Sequence, residues 1–238
     1  AIVLMFTSKG CNHARSETMR LNVEDIKLYL TEKNVTLVAV SKTKPTAAIL
    51  ALYDRGQRDF GENKVQELRE KYEEMPKDIR WHLIGHLQSN KVKYIAEWVY
   101  MIHSVDSLSL LEEINKQAAK HNRIIPCLLQ TYIAKEETKF GMDEAELHAL
   151  LQSSTFAGLK NISINGLMGM ATNTSDEEII RAEFLHLKAI FSTLKQTYFN
   201  EASQFSMLSM GMSSDYKIAV ECGSSIVRIG SLLFGERQ

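Results

Sequence analysis

Short apolar runs alternate with longer stretches of helical spacing along most of the chain. From Leu37 onward the runs are "TLVAVS", "RDFGEN", "WHLIGHL", "VYMIHSVD", "IPCLLQTYI", "INGLMGMA", "FSMLSMGMS" and "SIVRIGS". Between them, apolar positions recurring every three or four residues predict helices over Thr46–Arg55, Asn63–Tyr72, Gln88–Glu97, Leu108–Lys120, Asp143–Gln152, Asp176–Tyr198 and Tyr216–Cys222. Gly56 stands where a left-handed cap would end the first of these. Buried strands alternating with helices indicate βα units and a parallel sheet.

About eight such units in about 220 residues fit a (β/α)8 TIM-type barrel in one domain, residues 19–238. A doubly wound open sheet is the competing architecture. It would carry a glycine-rich turn after its first strand, and the turn here is "SKTKP". A barrel collects its chemistry where strands end and helices begin. Polar residues do stand at those positions: Lys42 and Lys44, Glu62 and Asn63, His86, Gln88, Ser89 and Asn90, the Ser209–Asp215 turn, and Arg228 to Ser231. Residues 1–18 show no clear period, and Met19 has the look of a natural start. They are expected to be a loose arm or a remnant foreign to the fold.

The totals exclude several classes. Of the 238 residues, 45% are hydrophobic and 24% charged, with a formal net charge of −1. That balance gives no long-range field for nucleic acid or anionic membrane. No run approaches the roughly 20 apolar residues of a membrane span. The cysteines Cys11, Cys127 and Cys222 are odd in number and form no CxxC pair, which argues for a reducing, cytoplasmic setting. There is no P-loop, GxGxxG or GxSxG motif. His82 and His86 have the four-residue spacing that binds zinc on a helix, but "WHLIGHL" reads as strand and turn, so no metal site is expected.

Lys42 follows an apolar strand directly. It is either a solvated rim residue or an amine whose partial burial favours the neutral, nucleophilic form. Lys44 shares its side of the strand, but Pro45 ends the ladder there and is expected to leave it in water. Arg228 lies inside "SIVRIGS", where an unpaired guanidinium would be very costly. It must meet a carboxylate such as Glu62 or Glu221, backbone carbonyls, or a ligand acceptor. Gly230 and Ser231 open the next segment with free backbone N–H groups, and "LSMGMSSDY" offers Ser209, Ser213 and Ser214 ahead of a helix. Ser213 or Ser214 taken singly could equally be a helix cap. Met168 and Met212 fall at strand ends, where packing is the simpler role. Two anion-receiving turns after the seventh and eighth strands match the usual phosphate site of such barrels.

Taken together, "AVSKTKP", "FGENKVQE", "WHLIGHLQSNK", "KFGM", "GLMGMAT", "LSMGMSSDY" and "VRIGSLLFG" resemble the pyridoxal phosphate homeostasis protein family, in order, from about Thr36 to Gly235. The resemblance implies a barrel similar to the N-terminal domain of alanine racemase, binding pyridoxal 5′-phosphate. Lys42 matches the family's Schiff-base lysine. Lys44 and Lys139 match lysines proposed there for cofactor transfer. Arg228 matches the arginine facing the pyridine nitrogen, and Ser209, Ser213, Gly230 and Ser231 fall in the phosphate-holding segments. Asn63, Met168 and Met212 complete the expected cofactor-binding set. The implied role is a monomeric cofactor carrier that limits free aldehyde and supplies apo-enzymes. The alternative is an amino-acid racemase of the same barrel type. That reading lacks an expected partner, because racemases draw a second acid/base from a further β domain and this chain is expected to end without one.

Overall fold

A computed structural model describes residues 23–134 and 141–235. The expected N-terminal arm, residues 1–18, and Lys139 lie outside the described residues. Eight parallel strands close on themselves in chain order. They are β1 (Thr36–Val40), β2 (Asp59–Glu62), β3 (Arg80–Leu83), β4 (Met101–Val105), β5 (Ile125–Gln130), β6 (Ile162–Met168), β7 (Met207–Ser209) and β8 (Ile226–Ile229). Each arises from one of the eight apolar runs. Closure is made by β1 and β8, registered from Thr36 against Ile226 to Ala39 against Ile229. The TIM-type barrel is therefore correct, and the open sheet is excluded.

Helices cover the outside. Residues 23–32 are helical (α1). They are followed by α2 (Thr46–Tyr53), α3 (Val65–Glu74), α4 (Leu108–Lys120), α5 (Glu144–Gln152), α6 (Ser154–Gly158), α7 (Glu177–Tyr198), α8 (Tyr216–Glu221) and α9 (Ser231–Phe234). Local signals set several starts. Ser107 accepts from the Leu110 N–H, and Asp143 and Glu146 form a reciprocal capping box at α5. Asp176 accepts from the N–H groups of Glu178 and Ile179. Gly56 does take a left-handed backbone, with φ 86°, just after α2.

One helix came out differently. The α-helix expected over Gln88–Glu97 is a 3-10 segment, Ser89–Tyr94. Its start has no side-chain cap, and bonds of i→i+3 type from Lys91 and Ile95 tighten it. That winding lets Val92, Ile95, Ala96 and Val99 all reach the core.

The core has two parts. The larger lies between barrel and helices and includes Phe60, Trp81, Phe184 and Phe205. Fully burying such a side chain contributes roughly 1.5–3 kcal/mol each. The smaller part plugs the barrel: Val38, Met101, Leu128, Met168 and Ile226. The sheet is irregular between β5 and β6, where the register shifts after Cys127. Gly166 takes φ 152° there, and a Cβ on it would stand 1.7 Å from the Met207 carbonyl oxygen. Only glycine lets β6 and β7 approach so closely.

Candidate functional site

A cavity of about 650 Å³ opens at the carboxyl ends of the strands. Lys42, from the loop after β1, lines it and is half-buried. The backbone on both sides of Lys42 is clamped from behind. Ser41 donates its hydroxyl to Glu62 Oε1 at 2.5 Å, and Lys71 Nζ donates to the Ser41 carbonyl at 2.7 Å. Lys71 also donates to Glu62 at 2.6 Å and to Glu67 at 2.7 Å. Glu67 in turn accepts the Thr43 N–H at 2.5 Å. Thr43 sits in the left-handed region, φ 63°, so the loop turns sharply after Lys42. Burial raises the Glu62 carboxyl above its usual range, against the opposing pull of Lys71 and Ser41.

Arg228, from β8, reaches the cavity from below and is only 4% exposed. Its Nη1 donates to Ser209 Oγ at 2.6 Å and its Nη2 to the Gly169 carbonyl at 3.2 Å. Two of its five N–H donors thus have partners among the described residues, which leaves donors for a ligand. Burial lowers its pKa to about 10, with Asp215 opposing, so the guanidinium remains charged at neutral pH. Neither carboxylate expected beside it is there: Glu62 pairs with Lys71, and Glu221 pairs with Arg181.

The anion-receiving turns lie beside Arg228. Met212, Ser213, Ser214, Gly230 and Ser231 all line the cavity. Ser213 accepts the Gly230 N–H at 3.2 Å, joining the turn after β7 to the turn after β8. The turn itself is held by Asp215, which accepts the Met212 N–H at 2.6 Å. Asn63 lines the opposite wall with His86, and His86 Nδ1 lies 3.5 Å from Asp106 Oδ2 at the mouth.

Three expectations need correction. Lys44 is not left in water: it is half-buried, lines the cavity and donates to the Gly235 carbonyl at 3.1 Å. The end of α9 comes back over the turn and supplies that acceptor. Ser209 does not line the cavity. It is fully buried beneath, where it holds Arg228 rather than a ligand. Met168 is also fully buried, in the barrel plug; Met170, two residues on, reaches the cavity instead. His82 and His86 part company, His82 inside β3 and His86 in the loop beyond it.

Sequence reasoning missed a polar chain inside the barrel. Arg80 donates to Asp59 from Nε and Nη2, at 2.9 and 2.5 Å. Asp59 Oδ1 lies 2.9 Å from His82 Nε2, and His82 Nδ1 lies 2.9 Å from His103 Nε2. His103 Nδ1 then lies 3.0 Å from Ser209 Oγ, next to Arg228. A signal existed: polar residues at alternate positions of buried strands all face one way.

The chain matches the family model "Alanine racemase, N-terminal domain" over residues 15–238. Curated relatives named pyridoxal phosphate homeostasis protein include one from Aquifex aeolicus, 40% identical over 87% of this chain and 89% of its own. Another, from Vibrio alginolyticus, is 38% identical over 92% of this chain and 94% of its own. The chain belongs to the pyridoxal phosphate homeostasis proteins of the alanine racemase N-terminal domain family. Among solved structures, PipY of Synechococcus elongatus, described with pyridoxal phosphate bound, superposes with a TM-score of 0.81 at 36% identity, covering 91% of this chain and 100% of that one. The alanine racemase of Clostridium difficile shares the fold alone, with TM-score 0.69 at 16% identity, covering 93% of this chain and 57% of that one.

Proposed function

We propose that this protein holds pyridoxal 5′-phosphate as a Schiff base on Lys42 and keeps it for release to apo-enzymes rather than turning substrate over. One observation carries the reading. A single cavity gathers a half-buried lysine, two joined turns with backbone N–H groups, and a buried guanidinium with donors to spare. The residues fit the group. At Gly230 a Cβ would stand 3.1 Å from the Val40 carbonyl oxygen, so the absent side chain lets this turn pack closely on the end of β1, beside Lys42. The N–H groups of Ser231 and Leu232, in the first turn of α9, have no acceptor within that helix. Lys42, one strand away, supplies the amine.

The bound cofactor brings an aldehyde and an electron-withdrawing ring. What the chain adds at that ring is Arg228, which donates a hydrogen bond but keeps its proton. A ring left unprotonated is a weak electron sink, which favours holding over carbanion chemistry. No tyrosine lines the cavity among the described residues, and the names of the relatives support keeping rather than racemising. With this reading go a monomeric state and a cytoplasmic location. The buried Cys127 and Cys222, both free, are compatible with a reducing compartment. No helix among the described residues is long and apolar enough to cross a membrane. Lys44, at the cavity wall, is a second stop for the aldehyde during transfer, and Lys139 a third.

The test is mass spectrometry of protein incubated with pyridoxal phosphate and reduced with borohydride. A reduced adduct on Lys42 is expected. An adduct confined to other lysines would move the site, and steady alanine racemisation lost in Lys42→Ala would replace the carrier reading with an enzyme.

A further inference from the structure

The polar chain through the barrel has fixed ends. Arg228 can only donate and ionised Asp59 can only accept. Four hydrogen bonds link them through Ser209, His103 and His82. Each bond needs one hydrogen. Arg228, the Ser209 hydroxyl and one N–H from each imidazole supply four, so both histidines balance as neutral rings. Every donor then points the same way, from Arg228 down to Asp59.

The opposite sense requires His82 as an imidazolium and His103 carrying its hydrogen on Nδ1. Ser209 would then accept twice, and its own hydroxyl hydrogen would have no acceptor among the described residues. An orphaned buried donor costs about 1–3 kcal/mol. His82 is 2% exposed and His103 0%, so an added charge there is costly as well. Burial, with His82 and Arg228 adjacent, also holds His103 well below its usual range.

We infer that Asp59, His82, His103 and Ser209 form a one-way hydrogen-bond chain, both imidazoles neutral and protonated on Nε2, that orients Arg228 toward the cavity from the far end of the barrel. Asp59 opens β2 and is braced by Arg80, which opens β3, whereas the cavity lies where the strands end. The chain strengthens the Ser209 oxygen as an acceptor, because hydrogen bonds in series polarise one another. A strong acceptor at Nη1 leaves the guanidinium one way to face. Asp59, His82 and His103 are thus positioning residues for Arg228; none of them lines the cavity. Their effect on ligand rests on the proposed function, but the tautomers do not.

Two measurements test this. Nitrogen-15 NMR of the ligand-free protein reads the tautomers directly. The expected result is Nε2–H on both His82 and His103 at neutral pH, whether or not the cofactor reading holds. An imidazolium at His82, or Nδ1–H on His103, would overturn the chain. The second is pyridoxal phosphate affinity in a double-mutant cycle. Asp59→Asn is expected to weaken binding roughly tenfold in the parent, as loss of a charge-assisted bond does, and to have no further effect in an Arg228→Lys background. Equal weakening in both backgrounds would show a merely structural role and sink the positioning claim. Ser209→Ala, which breaks the chain at its other end, takes the place of Asp59→Asn in the cycle should that variant fail to fold. A parent protein that binds no pyridoxal phosphate would end the proposed function while leaving the tautomers read by NMR as the test of the chain.

Discussion

Two lysines meet the same short loop from opposite sides, and they show how environment divides one side-chain type into two roles. Lys71, on α3 behind β1, is 5% exposed and has three oxygen acceptors within 2.7 Å. Those three bonds use all of its donors and make it a structural clamp. Lys42, in front, is half-buried against an open cavity with a guanidinium near by. An amine in such a place is reachable by an aldehyde, and the backbone just before it is tied to Lys71 through the Ser41 carbonyl. One lysine is spent on holding the loop, and the other is left facing the cavity.

Substitutions should separate the two roles. Lys42→Ala should abolish the borohydride-fixed adduct altogether, yet leave thermal unfolding unchanged within about 0.5 kcal/mol. A comparable loss of stability would mean that Lys42 is part of the frame. Lys71→Met should do the reverse. It leaves the fully buried Glu62 carboxylate with only the Ser41 hydroxyl as donor, one of its oxygens already having no partner among the described residues. Breaking such a pair costs about 3–5 kcal/mol, read by urea denaturation. A cost below about 1 kcal/mol would show that the clamp is dispensable.

Asp59 gives the next effect, and it is a pH effect. Burial raises its carboxyl, but the hydrogen bonds from Arg80 and His82 outweigh burial and hold it at about 2, against an ordinary 3.8. A carboxyl lowered by folding stabilises the fold above its unfolded pKa and stops doing so as pH falls through the folded value. The window is therefore pH 4 down to pH 2, and the contribution about 2 kcal/mol. Unfolding temperatures of the parent should drop across that window more steeply than those of Asp59→Asn. Parallel curves would remove the carboxylate from the account. Glu62 and Asp215, both raised by burial, act in the opposite sense and are common to both proteins.

The smallest effect is expected at Lys44. Lys44→Met loses, among its contacts, the hydrogen bond to Gly235, and that bond should cost about 0.5–1 kcal/mol by thermal unfolding. Covalent attachment at Lys42 should persist, with altered release to an apo-enzyme. Loss of attachment would place Lys44, not Lys42, at the centre of the chemistry.

Local pattern was enough for the frame. The apolar runs found all eight strands because strands of a barrel are buried on both faces, and the helical spacing found most of their covers but not α1, α6 or α9. Lys42, Lys44, Asn63, Met212, Ser213, Arg228, Gly230 and Ser231 do come together in one cavity, because each stands at a strand's end and the barrel brings those ends to one face. What pattern could not rank was depth. Ser209 and Met168 look like their neighbours in sequence, but each closes its strand facing inward and is buried. The 3-10 segment after β3 likewise depended on how Val92 and Ile95 pack, which local spacing does not contain.

The sequence by itself thus determined the architecture, the face that carries the site and most of the residues on it. These follow from local periodicity and from where each run stops. Only the tertiary structure decided that Lys71 braces Lys42, that Lys44 turns inward to Gly235, and that Asp59 connects to Arg228. Those contacts join residues 9 to 191 positions apart. They exist because strand register and closure of the ring place those side chains within hydrogen-bond reach, which no local pattern can specify.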